Sequence, residues 1–70
     1  MNIKYKVLKE HFYFDRGADQ MDVVGIKEFY DVNLAIECYK KWVEESKTKK
    51  PSYGEWGFEI TVHFDGMEGL

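Results

Sequence analysis

A small α+β domain is predicted by three observations: a three-stranded antiparallel sheet in the chain order β-β-α-β, with one amphipathic helix packed on one face. Residues 55–65 alternate strictly. Trp56, Phe58, Ile60, Val62 and Phe64 are apolar, and every residue between them is polar, charged or glycine. That is the period of a strand with one buried and one wet face. Residues 31–47 instead gather Leu34, Ala35, Ile36, Cys38, Tyr39, Trp42 and Val43 on one broad arc at about 100° per residue, the period of a helix. Residues 2–30 hold two runs rich in aromatic and β-branched residues, separated by a polar turn.

The first strand is expected over residues 2–14. Ile3, Tyr5 and Val7 alternate with Lys4 and Lys6, and then the phase slips to Leu8, Phe12 and Phe14. A change of parity reads as a bulge near Val7-Leu8 or as an early end of the strand. If extended, Phe12-Tyr13-Phe14 must put at least one ring on each face. Residues 15–20 read as a longish polar loop, with Gly17 available for a positive φ. Residues 21–30 return as a second strand through Met21, Val23, Val24, Ile26 and Phe29, with Gly25 marking a bulge or a close backbone approach.

Asp31 is the expected N-cap, with Asn33 as the alternative. Glu37–Lys41 and Lys40–Glu44 stand four apart on the polar side of the helix and add modest support. Ala35 and Trp42 lie near the centre of the apolar arc, where a small residue permits close approach to a sheet. A loop containing Pro51 leads into the last strand, and residues 66–70 are expected to be a frayed tail of a single domain spanning 1–70. A right-handed crossover that skips strand one places the strands in the order 2-1-3. Lys4 and Lys6 would then face Glu55, Glu59 or Asp65 across the open face. The order 1-2-3 is the alternative.

Seventy residues bury only about 60% of their unfolded surface. Such chains lean on disulfides, metals or oligomerisation. Cys38 is the one cysteine, so an internal disulfide is excluded. Aromatic residues make up 17% of the chain, enough to build a dense small core and leave rings over for a partner. No apolar run approaches the roughly 18 residues of a membrane span, and a cytoplasmic location is expected. The net charge of −3 hides an asymmetry. Residues 38–50 hold five Lys against two Glu, a net of +3, whereas residues 51–70 hold four acids and no Lys or Arg. Bulk charge therefore disfavours nucleic acid, and Lys40, Lys41, Lys47, Lys49 and Lys50 read first as a solvated helix end.

No constellation for catalysis emerges. His11, His63 and Cys38 share no metal-ligand spacing. Cys38 falls on the apolar arc, where it reads as a small hydrophobe rather than a nucleophile. Glu55 and Glu59 share a wet face without a cleft around them. Gly54-Glu55-Trp56-Gly57 precedes a strand, so it cannot cradle phosphate at a helix start. Neither enzymatic activity nor a cofactor or metal is expected.

What remains is binding. Tyr13, Tyr30 and Tyr53 do not fit the core parity, and tyrosine is favoured at interfaces. Together with Lys47, Lys49 and Lys50 they are the candidate contact residues. A three-stranded sheet also exposes two edges, open to strand addition by a partner or a second copy. The stretch Lys27-Glu28-Phe29-Tyr30-Asp31-Val32-Asn33-Leu34-Ala35-Ile36-Glu37-Cys38-Tyr39-Lys40-Lys41-Trp42, followed by residues 56–64, resembles short accessory proteins of phages and mobile elements. Their helix has the form DxxxAxxxYxxW between a strand ending in aromatics and a closing strand. The resemblance implies an inhibitor of a bacterial host protein, as anti-CRISPR proteins are, acting in the host cytoplasm by covering a surface. It carries over no functional residue. Two alternatives stand beside it: a homodimer that binds a small ligand or nucleic acid through Lys40–Lys50, and a structural subunit of a larger assembly.

Overall fold

The computed structural model describes residues 2–65, with side chains described from Ile3 to Phe64. The expected tail at 66–70 lies outside them. The elements are β1 (Asn2–Asp15), β2 (Ala18–Phe29), α1 (Val32–Thr48) and β3 (Glu55–Asp65). The sheet is antiparallel with the order β2-β1-β3, so β1 is the centre and α1 crosses over it to reach β3.

Register fixes which side chains share a face. Val7 stands opposite Lys27 and Ile60, Tyr5 opposite Phe29 and Val62, and Lys9 opposite Gly25 and Phe58. These positions face α1. Val7 and Ala35 are fully buried and Cys38 nearly so, with Tyr5, Phe29, Tyr39, Trp42 and Ile60 packed around them. Ala35 works as the arc predicts: its single methyl lets the helix settle onto the sheet at Val7. The Trp42 ring lies against Gly25, 3.4 Å from where a Cβ would stand.

Asp31 is the N-cap, its carboxylate accepting from the Asn33 N–H at 2.8 Å. The apolar arc is wider than the sheet can cover, and Leu34 and Ile36 on its two flanks are exposed. Inside the helix, the buried Ser46 hydroxyl donates back to the Trp42 carbonyl at 2.7 Å. The ion pair found on the helix is Lys47–Glu44 at 3.1 Å rather than either expected i,i+4 pair.

Three sequence expectations need correction. The hairpin loop is not long: only Arg16 and Gly17 lie between the strands, at φ 53° and 79°. Two positive φ values make the type I′ turn whose twist matches that of the flanking strands. The bulge lies two residues beyond Val7-Leu8, and its extra residue is in β2. Lys9 pairs with Gly25 and Glu10 with Val23, leaving Val24 unmatched. The parity change in β1 therefore has another cause, which is that β1 carries apolar side chains on both faces. Lastly, the residues directly opposite Lys4 and Lys6 on β3 are His63 and Thr61, and both lysines pair with Glu28 of β2, at 3.4 and 3.7 Å.

Candidate functional site

The face of the sheet turned away from α1 is built by the even positions of β1 and their partners. On β1 these are Leu8, Glu10, Phe12 and Phe14; on β2, Ile26, Val23, Met21 and Asp19; on β3, Glu59, Gly57 and Glu55. No element among the described residues packs on this face. Its apolar side chains lie open to solvent: Phe14 is 70% exposed, Ile26 53%, Val23 52% and Met21 48%. Single exposed hydrophobes are ordinary; a row of them on one face is the less common case and the one this sheet presents.

The patch has internal order. The Phe12 ring lies directly on the backbone of Gly57. A Cβ there would fall 2.2 Å from Phe12 Cε2, so a larger residue would have to displace the ring. Beside it, Glu10 is almost completely buried between its neighbours. Burial first, and then the charge and a hydrogen bond of Glu59, push the Glu10 carboxyl above the ordinary carboxylate range. Around the apolar side chains stand Glu10, Glu59, Glu55 and Asp19. No lysine or arginine occupies any of the sheet positions just named. The two open-face lysines, Lys4 and Lys6, lie at the other end beside Glu28.

A second cluster lies on the helix side, at the far end of β1. His11 is buried and its Nε2 meets the Tyr53 carbonyl at 2.7 Å. Its ring is within 5.0 Å of Tyr13, 4.9 Å of Tyr53 and 5.2 Å of Trp56, centroid to centroid. Lys9 sits over the Trp56 ring at 4.2 Å, and the Trp56 indole N–H donates to the Lys49 carbonyl at 2.8 Å. The Tyr13 hydroxyl donates to Asp22 at 2.9 Å, and this bond first of all raises the phenol's pKa. Gly54 closes the cluster at φ 71°, with the Phe12 carbonyl 2.2 Å from where its Cβ would stand. The arrangement ties the loop before β3 to β1, a structural task. An open groove of about 480 Å³ adjoins it, with Lys47, Lys50, Trp56 and Phe58 in its walls.

The structure thus divides the residues named from sequence. Tyr13 and Tyr53 share the aromatic cluster, with ring centroids 5.5 Å apart. Lys47 and Lys50 line the adjoining groove, and Lys49 contributes its backbone carbonyl. Tyr30 lies at the opposite end of the sheet, beside Lys4. The six do not form one surface. The exposed apolar patch lies instead on Phe12, Phe14, Met21, Val23 and Ile26, none of which the sequence reading named as a contact residue. The signal was present: Leu8, Phe12 and Phe14 are the very residues whose parity disagrees with a single buried face. Cys38 is buried, and burial above all pushes its thiol's pKa up, against the opposing pull of Lys27 and Lys41. Its placement is that of a core residue. No group of three or more metal-ligating side chains converges among the described residues, and no helix there is long and apolar enough to cross a membrane. No protein-family model, curated protein or solved structure matches the chain.

Proposed function

We propose that this chain is a non-catalytic protein-binding module that acts by covering a partner's surface with the helix-free face of its sheet. The observation that carries the reading is the exposed apolar patch of Phe12, Phe14, Met21, Val23 and Ile26, flanked by Glu10, Glu55, Glu59 and Asp19, with Lys6 beyond Ile26 paired to Glu28. Its chemistry suits a partner whose apolar surface is rimmed by lysine or arginine, since complementary charge sets orientation and rate while apolar burial supplies affinity. The resemblance to phage and mobile-element accessory proteins makes a bacterial host protein, and a defence protein first, the class to test. Inhibition then follows from occlusion and needs no turnover.

The test is a paired capture from bacterial lysate with three immobilised chains: wild type, Ile26→Lys and Tyr30→Ser. Ile26 is half exposed on the patch, so lysine there keeps its head in water and leaves the fold intact. A stoichiometric partner held by wild type and Tyr30→Ser and lost by Ile26→Lys supports the reading. Retention of the same partner by Ile26→Lys contradicts it.

A further inference from the structure

We infer that the outer edge of β3 pairs with the β3 edge of a second copy, giving a two-fold dimer with one continuous six-stranded sheet. The inference concerns a different surface from the helix-free face and stands or falls separately.

The two sheet edges differ. β2 carries the Val24 bulge, and bulges and charges are the usual means of blunting an edge. β3 pairs with β1 over eleven residues without a register shift. It contains no proline and no lysine. Among the described residues no backbone hydrogen bond outside the helix and sheet reaches its outer side. Its charges are the acids Glu55, Glu59 and Asp65, and it is the edge without a bulge.

Charge then selects the register. A two-fold axis perpendicular to the sheet keeps both helices on one side and pairs residues of equal parity. Centred on Glu59, it sets that carboxylate against its own copy. Centred on Ile60, it sets Glu55 against Asp65; centred on Phe58, it pairs only residues 55–61 and opposes no unlike charges. Centred on Thr61, it opposes Glu59 to the partner's His63 twice over, Ile60 to Val62 and Phe58 to Phe64, with no like charges facing. Cross-strand pairs of this kind are the unit of sheet stabilisation. His63 Nε2 lies 3.0 Å from Thr61 Oγ1, which already orients the ring on the open face.

An apolar flank lies beside the edge. Tyr39 packs edge-on to Phe58, and Val43 shares a groove with Phe58, so this flank of α1 overlooks β3. Ile36, one turn earlier on the same flank, is exposed, as are Val62 and Phe64. A stable interface needs roughly 800 Å² from each partner, more than a strand edge offers alone. Pairing at Thr61 brings Phe64 beside the partner's Phe58 and covers both.

Sedimentation equilibrium on the full chain tests this. The expected mass is about 17 kDa, twice the 8.3 kDa of one chain. His63→Glu sets carboxylate against carboxylate twice and is expected to raise the dissociation constant at least about tenfold. Glu59→Lys combined with His63→Glu re-pairs the charges and is expected to restore it. Thr61→Asp, opposite Lys6 within the chain and opposite itself across the axis, is expected to run as a folded monomer by circular dichroism. A monomeric wild type up to roughly 100 μM, well above the micromolar constants of ordinary stable complexes, overturns the proposal. So does a dimer indifferent to both His63→Glu and Thr61→Asp.

Discussion

Val7 has neighbours on every side: the helix at Ala35 and Cys38 above it, Ile60 and Lys27 beside it. Removing two methyl-sized groups from a site with no solvent access costs transfer free energy plus a residual cavity. Val7→Ala is therefore expected to destabilise by about 2 kcal/mol, read as a shift in the urea midpoint at constant slope. In a chain whose buried apolar side chains are Val7, Ala35 and Cys38 among the described residues, that is a large share of the total. Val7 was legible in the sequence as an inward position of strand one. Glu10 was not. Nothing in the local pattern tells that Gly57 opposite it leaves room for Phe12 to lie flat, so that a carboxylate on the open face becomes almost buried.

Helix and hairpin termini carry the next level of stability. The Asp31 carboxylate satisfies a backbone donor of the first turn of α1. Asp31→Ala is expected to cost about 1 kcal/mol, measured by thermal unfolding with the far-ultraviolet circular dichroism of the helix as probe. The β1–β2 turn offers the opposite case. Arg16 holds φ 53° without the short polar side chain that tolerates the left-handed region. Arg16→Asn, giving Asn-Gly in a type I′ turn, is expected to stabilise by about 0.5 kcal/mol, seen as a raised melting temperature with an unchanged near-ultraviolet spectrum. The cap and the helix could be read from sequence because both depend on neighbours within a turn. The two-residue turn could not, because an Arg-Gly pair is not the usual signal for it, and the polar run on both sides of it looks like loop. Asp19 and Gln20 turn out to be strand residues on a solvated edge.

At the scale of the whole molecule, one helix on a three-stranded sheet leaves a face uncovered, and the acids on that face give stability a pH dependence. Glu10 holds its proton more tightly when folded than when unfolded, chiefly through burial and then through Glu59. Its contribution is fully present below the ordinary value of 4.5 and is lost as pH rises through the higher folded value. Glu10→Gln removes that loss. The variant's melting temperature should match wild type near about pH 4 and exceed it near about pH 7. An equal difference at both values would mean that the carboxyl does not titrate as its burial dictates. The order β2-β1-β3 and the helix on one face were legible from crossover geometry and period. The exposed apolar patch was not, because its residues come from two strands and are brought together only by the register, including the Val24 bulge that returns Val23 and Met21 to the open face.

That surface is the central claim, and side-chain footprinting by hydroxyl radicals tests it most directly. The sample is the complex with the partner that wild type retains and Ile26→Lys loses. Phe12, Phe14 and Met21 should be oxidised in the isolated chain and shielded in the complex, while Tyr30 stays equally reactive in both. Shielding confined to α1 or to Tyr30, with Phe14 and Met21 as reactive as in the isolated chain, would contradict it.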